Sequence, residues 1–114
     1  MPSGEFNYTK KIPSSQIKRI WKKDYPNKRM PKVEGYILPQ KDFRSTVQGF
    51  RKDNRKAELK EYGHNLPLNR TVGAVFRDPS TKSFVIIRHE RAAGPVSRTI
   101  RHELGHIARR EVGR

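Results

Sequence analysis

The sequence predicts a small α+β fold, in which an antiparallel sheet packs against N-terminal helices and a C-terminal helix. Two runs rich in β-branched and aromatic residues, 71–77 and 83–88, flank the turn residues 78–81. Apolar residues recur at helical spacing between positions 96 and 107, and again between 17 and 21. Together these patterns predict one β-hairpin followed by an amphipathic helix, with at least one further helix before it.

Length and composition limit the class of protein. The chain has 114 residues, of which 32% are hydrophobic and 32% charged, so we expect one small domain with a limited core. It has no cysteine, which excludes disulfides and thiolate metal sites. No run approaches the ~18 apolar residues of a membrane span, and the N-terminus lacks the apolar stretch of a signal peptide. We therefore expect a cytoplasmic protein without a membrane partner.

The N-terminal half is predicted to begin with a flexible basic segment, residues 1–13, followed by a single domain over residues 14–114. A short amphipathic helix is expected over residues 14–23, with Ser14 as its cap and Trp21 in the core. The prolines between positions 24 and 32 predict a loop. A short strand is expected over residues 33–38.

The middle of the chain is less clearly patterned. Residues 40–56 are polar and ambiguous, whereas 53–62 are predicted to be helical, with Gly63 ending the helix as its C′ residue. The hairpin follows after a loop. Gly94 and Pro95 then precede the final helix, because a proline is well tolerated in a first helical turn.

The most informative motif is His102-Glu103-Leu104-Gly105-His106, an HExxH pattern on the final helix. Positions four apart lie about 40° apart around a helix, so His102 and His106 can present two imidazoles to one metal ion. Glu103 can reach a water molecule at that metal without occupying a ligand position. Zinc is the expected ion, because imidazole ligands in a small tetrahedral site suit it. A chance match of this short pattern is the alternative.

A strong positive charge is the second feature, with 26 lysine and arginine residues against 11 acids, a formal net charge of +15. Such an excess favours contact with a polyanion, most simply nucleic acid or a ribonucleoprotein. A solvated basic surface without a specific partner is the alternative. The residues predicted to bind nucleic acid are Lys10, Lys11, Lys18, Arg19, Lys22 and Lys23.

The hairpin followed by the His102–His106 helix resembles the zincin metallopeptidases, especially minigluzincins and the SprT-like and ImmA-like proteins. The resemblance covers roughly residues 70–112. It implies that His102 and His106 bind zinc, that Glu103 is the general base, and that the strand 83–88 lines the cleft and pairs with an extended substrate.

The third zinc ligand departs from the families that the motif resembles. Gluzincins take it from a later helix and metzincins from a histidine at the position of Val112, and the sequence ends at Arg114. We therefore expect an upstream ligand, with His89 favoured over Glu90 and His64. The alternative for His89 is an ordinary surface residue in a charged run.

Three functions are consistent with the sequence. The first is a minimal zinc peptidase that hydrolyses a protein or peptide. The second is a catalytically inactive zincin-like module that binds nucleic acid or a ribonucleoprotein, and a peptidase recruited to nucleic acid would combine the two. A metal-dependent nuclease or other hydrolase is the third.

Overall fold

The computed structural model describes residues 10–54, 60–63, 66–79 and 81–109. It has a five-stranded sheet in the order β1-β2-β5-β4-β3. The strands are β1 (Lys10–Ile12), β2 (Lys32–Leu38), β3 (Lys60–Tyr62), β4 (Gly73–Asp78) and β5 (Ser83–His89). The helices are α1 (Ser14–Asp24), α2 (Gln40–Asn54) and α3 (Val96–Arg109), and a short 3-10 turn spans Leu68–Arg70. None of these described helices has the length and apolar character needed to cross a membrane.

The sheet is mixed, because β2 and β5 run parallel while the other three pairs are antiparallel. The small α+β class is confirmed, but the expectation of an antiparallel sheet is wrong for this central pair. The reason is topological: β2 enters the sheet beside β5, and the intervening chain supplies α2, β3 and β4 before β5 is formed. The predicted hairpin is confirmed as β4 and β5.

The helices lie on opposite faces of the sheet. On one face, α1 and α3 bury Ile17, Trp21, Ile100 and Leu104 against the strands. On the other face, α2 buries side chains such as Phe43. Because successive side chains of a strand point to opposite faces, neighbouring residues of one strand contribute to different layers. We call these the α3 face and the α2 face.

Three segments differ from the sequence prediction. Lys60–Tyr62 form an edge strand, and the ambiguous segment 40–54 is the helix α2. Phe43, Val47 and Phe50 carry the helical spacing that indicates α2, although many polar residues separate them. Lys10–Ile12 were expected in the flexible segment but form β1, which pairs with β2; residues 1–9 lie outside the described residues.

Candidate metal centre

The HExxH motif lies within α3, and its two histidines face each other one helical turn apart. Their Nε2 atoms are 3.1 Å apart, and their ring planes are nearly perpendicular. His102 is exposed, whereas His106 is buried. Two nitrogens at the usual zinc distance of about 2.0–2.1 Å and separated in this way would make an angle of about 100° at the metal, near the tetrahedral value. The imidazole pair therefore fits one metal ion.

Glu103 completes the group of possible ligand atoms. One ligand atom from each of His102, Glu103 and His106 lies within 4.8 Å of the others. Glu103 is buried, and the absence of a side chain at Gly73 of β4 leaves room for its carboxyl, since an ideal Cβ there would be 3.0 Å from Oε2. The carboxyl therefore occupies the space between α3 and β4 that a side chain at Gly73 would fill.

Burial and, to a smaller extent, the negative charge of Glu61 together raise the pKa of Glu103 to about 8. In the absence of a cation, the carboxyl is therefore mostly protonated at neutral pH. A divalent cation close by would favour the charged form and lower this pKa again. Binding of a cation near Glu103 would therefore be coupled to release of the proton from its carboxyl.

Gly63, directly after β3, fixes the position of His106. Its φ is +90°, and an ideal Cβ at this position would lie 2.9 Å from Nε2 of His106. Any side chain would collide with the imidazole, and the backbone conformation itself favours glycine. The sequence interpretation of Gly63 as a helix C′ residue gave the correct backbone region but the wrong element, because the residues before it form a strand.

On the α2 face of the sheet, Arg51 and Glu61 form an ion pair that the sequence did not predict. Arg51 of α2 donates from Nε to Oε1 of Glu61 at 2.8 Å and from Nη2 to Oε2 at 3.1 Å. Nη2 also lies 3.5 Å from the hydroxyl of Thr71. Glu61 was hidden because residues 60–62 were assigned to a helix. In a strand, its position opposite Phe76 would have marked it as a buried charge that needs a partner.

The structure does not bring His89 to the histidine pair. His89 packs against Phe43 of α2, with ring centroids 5.0 Å apart, and its Nδ1 accepts a hydrogen bond from the backbone of Arg91. Its side chain therefore lies on the α2 face, whereas His102 and His106 belong to α3. His89 is therefore not among the described residues that group with the histidine pair, and its role as third ligand stays a prediction without support from this geometry. Alternation along β5 is the reason, because Arg88 takes the α3 face and His89 the opposite one.

Of the other two candidates for a third ligand, the structure describes Glu90 but not His64. Glu90 accepts a hydrogen bond from the backbone N–H of Gln40 at 3.2 Å, at the start of α2. The Glu90 carboxylate therefore binds the start of α2 rather than the motif helix. His64 lies outside the described residues. Among the described residues, the group of possible ligands consists of His102, Glu103 and His106.

The strand expected to bind an extended substrate is not available for that role. β5 pairs with β2 on one side and with β4 on the other, so its backbone groups are used within the sheet. Within the described part of the chain, β3 is an edge strand, with β4 as its one partner. Since β3 leads directly into Gly63, the edge beside His106 belongs to this strand.

The basic residues predicted to bind nucleic acid lie on β1 and on the outward side of α1. All six are exposed: Lys10, Lys11, Lys18, Arg19, Lys22 and Lys23. On α1 they form two pairs four positions apart, so the helix presents a row of cations to solvent. Such like-charged pairs slightly destabilise an isolated helix. An ion pair between Asp24 and Arg101, 2.8 Å long, joins the end of this helix to α3.

Comparisons of the chain with protein-family models, with curated proteins and with solved structures give no match.

Proposed function

We propose that the protein is a zinc-dependent peptidase with a zincin-like active-site helix. The observation that carries this proposal is the 3.1 Å separation of the two Nε2 atoms, with the buried carboxyl of Glu103 beside them. His102 and His106 would hold the ion. Zinc is preferred because two neutral imidazoles suit it and the chain has no thiolate.

When bound, zinc supplies Lewis-acid chemistry, since it polarises a carbonyl and lowers the pKa of water. The protein's own contribution is the proton transfer at Glu103. In its charged form, Glu103 takes a proton from the attacking water and delivers it to the leaving amine. The tight packing of Gly63 on His106 and the room left at Gly73 keep the imidazole and the carboxyl in fixed relative positions.

We propose that β3, rather than β5, aligns the substrate. An extended peptide can add to an edge strand through backbone hydrogen bonds, and β3 ends next to His106. Of the three ligand candidates from the sequence, His64 stays a prediction; it follows Gly63 directly in the chain.

The test is proteolysis of an unfolded protein such as casein by the protein loaded with one equivalent of zinc. Glu103→Gln is expected to bind zinc but to lose at least ~100-fold in activity, because the general base is absent. Glu34→Gln, at an exposed carboxylate on β2, removes the same charge and should retain activity. Full activity in Glu103→Gln would contradict the proposal.

The second candidate is a zincin-like module without catalysis that binds nucleic acid or a ribonucleoprotein. The row of exposed cations on α1 and the net charge of +15 favour it. A cytoplasmic location suits either function. Nucleic-acid affinity should fall steeply as salt rises from about 50 to 200 mM, and Lys18→Gln with Lys22→Gln should reduce that slope. Salt-independent binding would count against this candidate.

A further inference from the structure

A second site lies on the α3 face, beside the histidine pair but distinct from it. It is a cavity of about 540 Å³. Tyr62 and Ile107 line it, and each is directly next to a residue of the metal centre: Gly63 in one case and His106 in the other. Two lining residues are therefore chain neighbours of residues at the metal centre, although the cavity shares no ligand residue with that centre.

The lining is strongly cationic. Lys28, Arg29, Arg77 and Lys82 contribute to it, and no acidic residue is among the described residues that form its wall. Four cations around one concave space raise its positive potential, because the low-dielectric walls concentrate the field. An anionic ligand would be attracted more strongly here than to the exposed cations of α1.

Arg77 carries two features that a bound anion would relieve. Its Nε is buried and has no hydrogen-bond acceptor in the described part of the chain. It also faces Lys60 directly across the β3–β4 pair, where like charges destabilise a sheet. Its guanidinium carbon lies 5.8 Å from the ring centroid of Phe84, so the aromatic ring supports the cation inside the cavity.

Two of the lysines are held in position by the backbone. Lys28 donates from Nζ to the carbonyl oxygen of Ala108 at 2.9 Å, near the end of α3. An ammonium group has three donors, so this bond leaves it able to bind a ligand as well. Lys82 has a φ of +56° in the turn between β4 and β5, which sets the direction in which its side chain leaves the backbone.

We propose that this cavity binds the phosphate group of a phosphorylated ligand. Phosphate offers several acceptor oxygens to cations that approach from different elements, and the planar fork of an arginine matches two of them. The remaining wall is mostly apolar, with the aromatic residues Trp21, Tyr62 and Phe84 among its members, and suits the less polar part of such a ligand. The phosphate belongs either to a nucleic-acid backbone or to a small phosphorylated molecule.

The test uses the full chain with a chelator present, so that its result does not depend on zinc binding or on peptidase activity. Calorimetric titrations with adenosine monophosphate and with a short single-stranded oligonucleotide give the affinities. Arg77→Gln combined with Lys82→Gln is expected to weaken binding at least ~10-fold, because two charge-assisted contacts are lost. Should Arg77→Gln prevent folding, Arg29→Gln with Lys82→Gln, both outside helices and strands, replaces it.

Lys41→Gln with Lys52→Gln is the matched control, because it removes the same charge from exposed positions on α2, across the sheet. We expect it to change affinity less than about twofold. Binding of both probes identifies a small phosphorylated molecule as a sufficient ligand, and binding of the oligonucleotide alone identifies the nucleic-acid backbone. The proposal is overturned if neither probe binds, if both double variants weaken binding equally, or if a polyglutamate peptide binds as tightly.

Discussion

The two faces of the sheet carry different chemistry. On the α3 face, two histidines and a buried carboxyl lie together, and a cationic cavity is lined by residues of the same face. On the α2 face, the buried carboxylate of Glu61 is fully paired with Arg51, and His89 is packed against Phe43. The first face thus groups possible ligand atoms, whereas on the second face the buried charge is paired within the chain.

This difference shows that distance along the chain is a poor guide to the composition of the site. His89 lies 13 residues before His102 in the sequence, yet its side chain points to the other layer. Gly63 is much farther from the motif in sequence but contacts His106. The sheet order brings the β3 edge to α3, and alternation along β5 removes His89 from it.

Histidine substitutions on the two faces should differ most strongly in their effect on metal binding. His106→Ala removes one of the two paired imidazoles, so zinc affinity should fall by at least ~100-fold, more than the loss of an outer-shell partner. His89→Ala, on the α2 face, should leave affinity unchanged. Elemental analysis and competition with a chromogenic chelator measure both. Equal loss in the two variants would show that His89 does reach the metal.

His64→Ala sharpens the same comparison. If His64 completes the ligand set, its loss should weaken zinc binding by an amount similar to that seen for His102→Ala. Unchanged affinity would show that His64 is not a ligand, so that the two histidines of α3 would bind the ion together with non-protein ligands.

The glycines offer a second comparison, in stability. Gly63→Ala should destabilise the fold by about 2 kcal/mol, because an alanine is strained at a φ of +90° and its Cβ would overlap His106. Gly49→Ala, in the middle of α2 with no atom near its ideal Cβ, should instead stabilise by about 0.5–1 kcal/mol. Denaturant unfolding of the metal-free protein measures both. A harmless Gly63→Ala would argue against the close contact.

The sequence predicts the local parts of this molecule better than their assembly. The helix spacing of His102 and His106 and the β-formers around residues 78–81 depend on neighbours in the chain, and those elements are confirmed. The parallel pairing of β2 with β5 and the contact of Gly63 with His106 depend on long-range packing. No local pattern encodes them, so the mixed sheet and the surroundings of the motif could not be predicted.

The pH dependence of stability gives the last comparison, and it concerns Glu103 alone. Its pKa is raised from 4.5 to about 8 by burial, so the folded state binds the proton more tightly than the unfolded state. The contribution is therefore fully present below about pH 4.5 and is lost as the pH rises towards 8. In the metal-free protein, the free energy of unfolding should fall over this interval by on the order of a few kcal/mol through this group, at about 1.4 kcal/mol for each unit of the pKa shift.

Glu103→Gln isolates this effect, because its side chain cannot ionise and every other titrating group is shared with the wild type. The variant should lack this part of the decline and should exceed the wild type in stability at pH 8, whereas Glu34→Gln should follow the wild-type curve. Urea unfolding across the interval gives the curves. Zinc should flatten the wild-type curve, because a nearby cation favours the charged carboxylate. Parallel curves for wild type and Glu103→Gln without zinc would show that Glu103 ionises in the folded state much as it does in the unfolded chain. That result would contradict the proposed coupling between cation binding and proton release at Glu103.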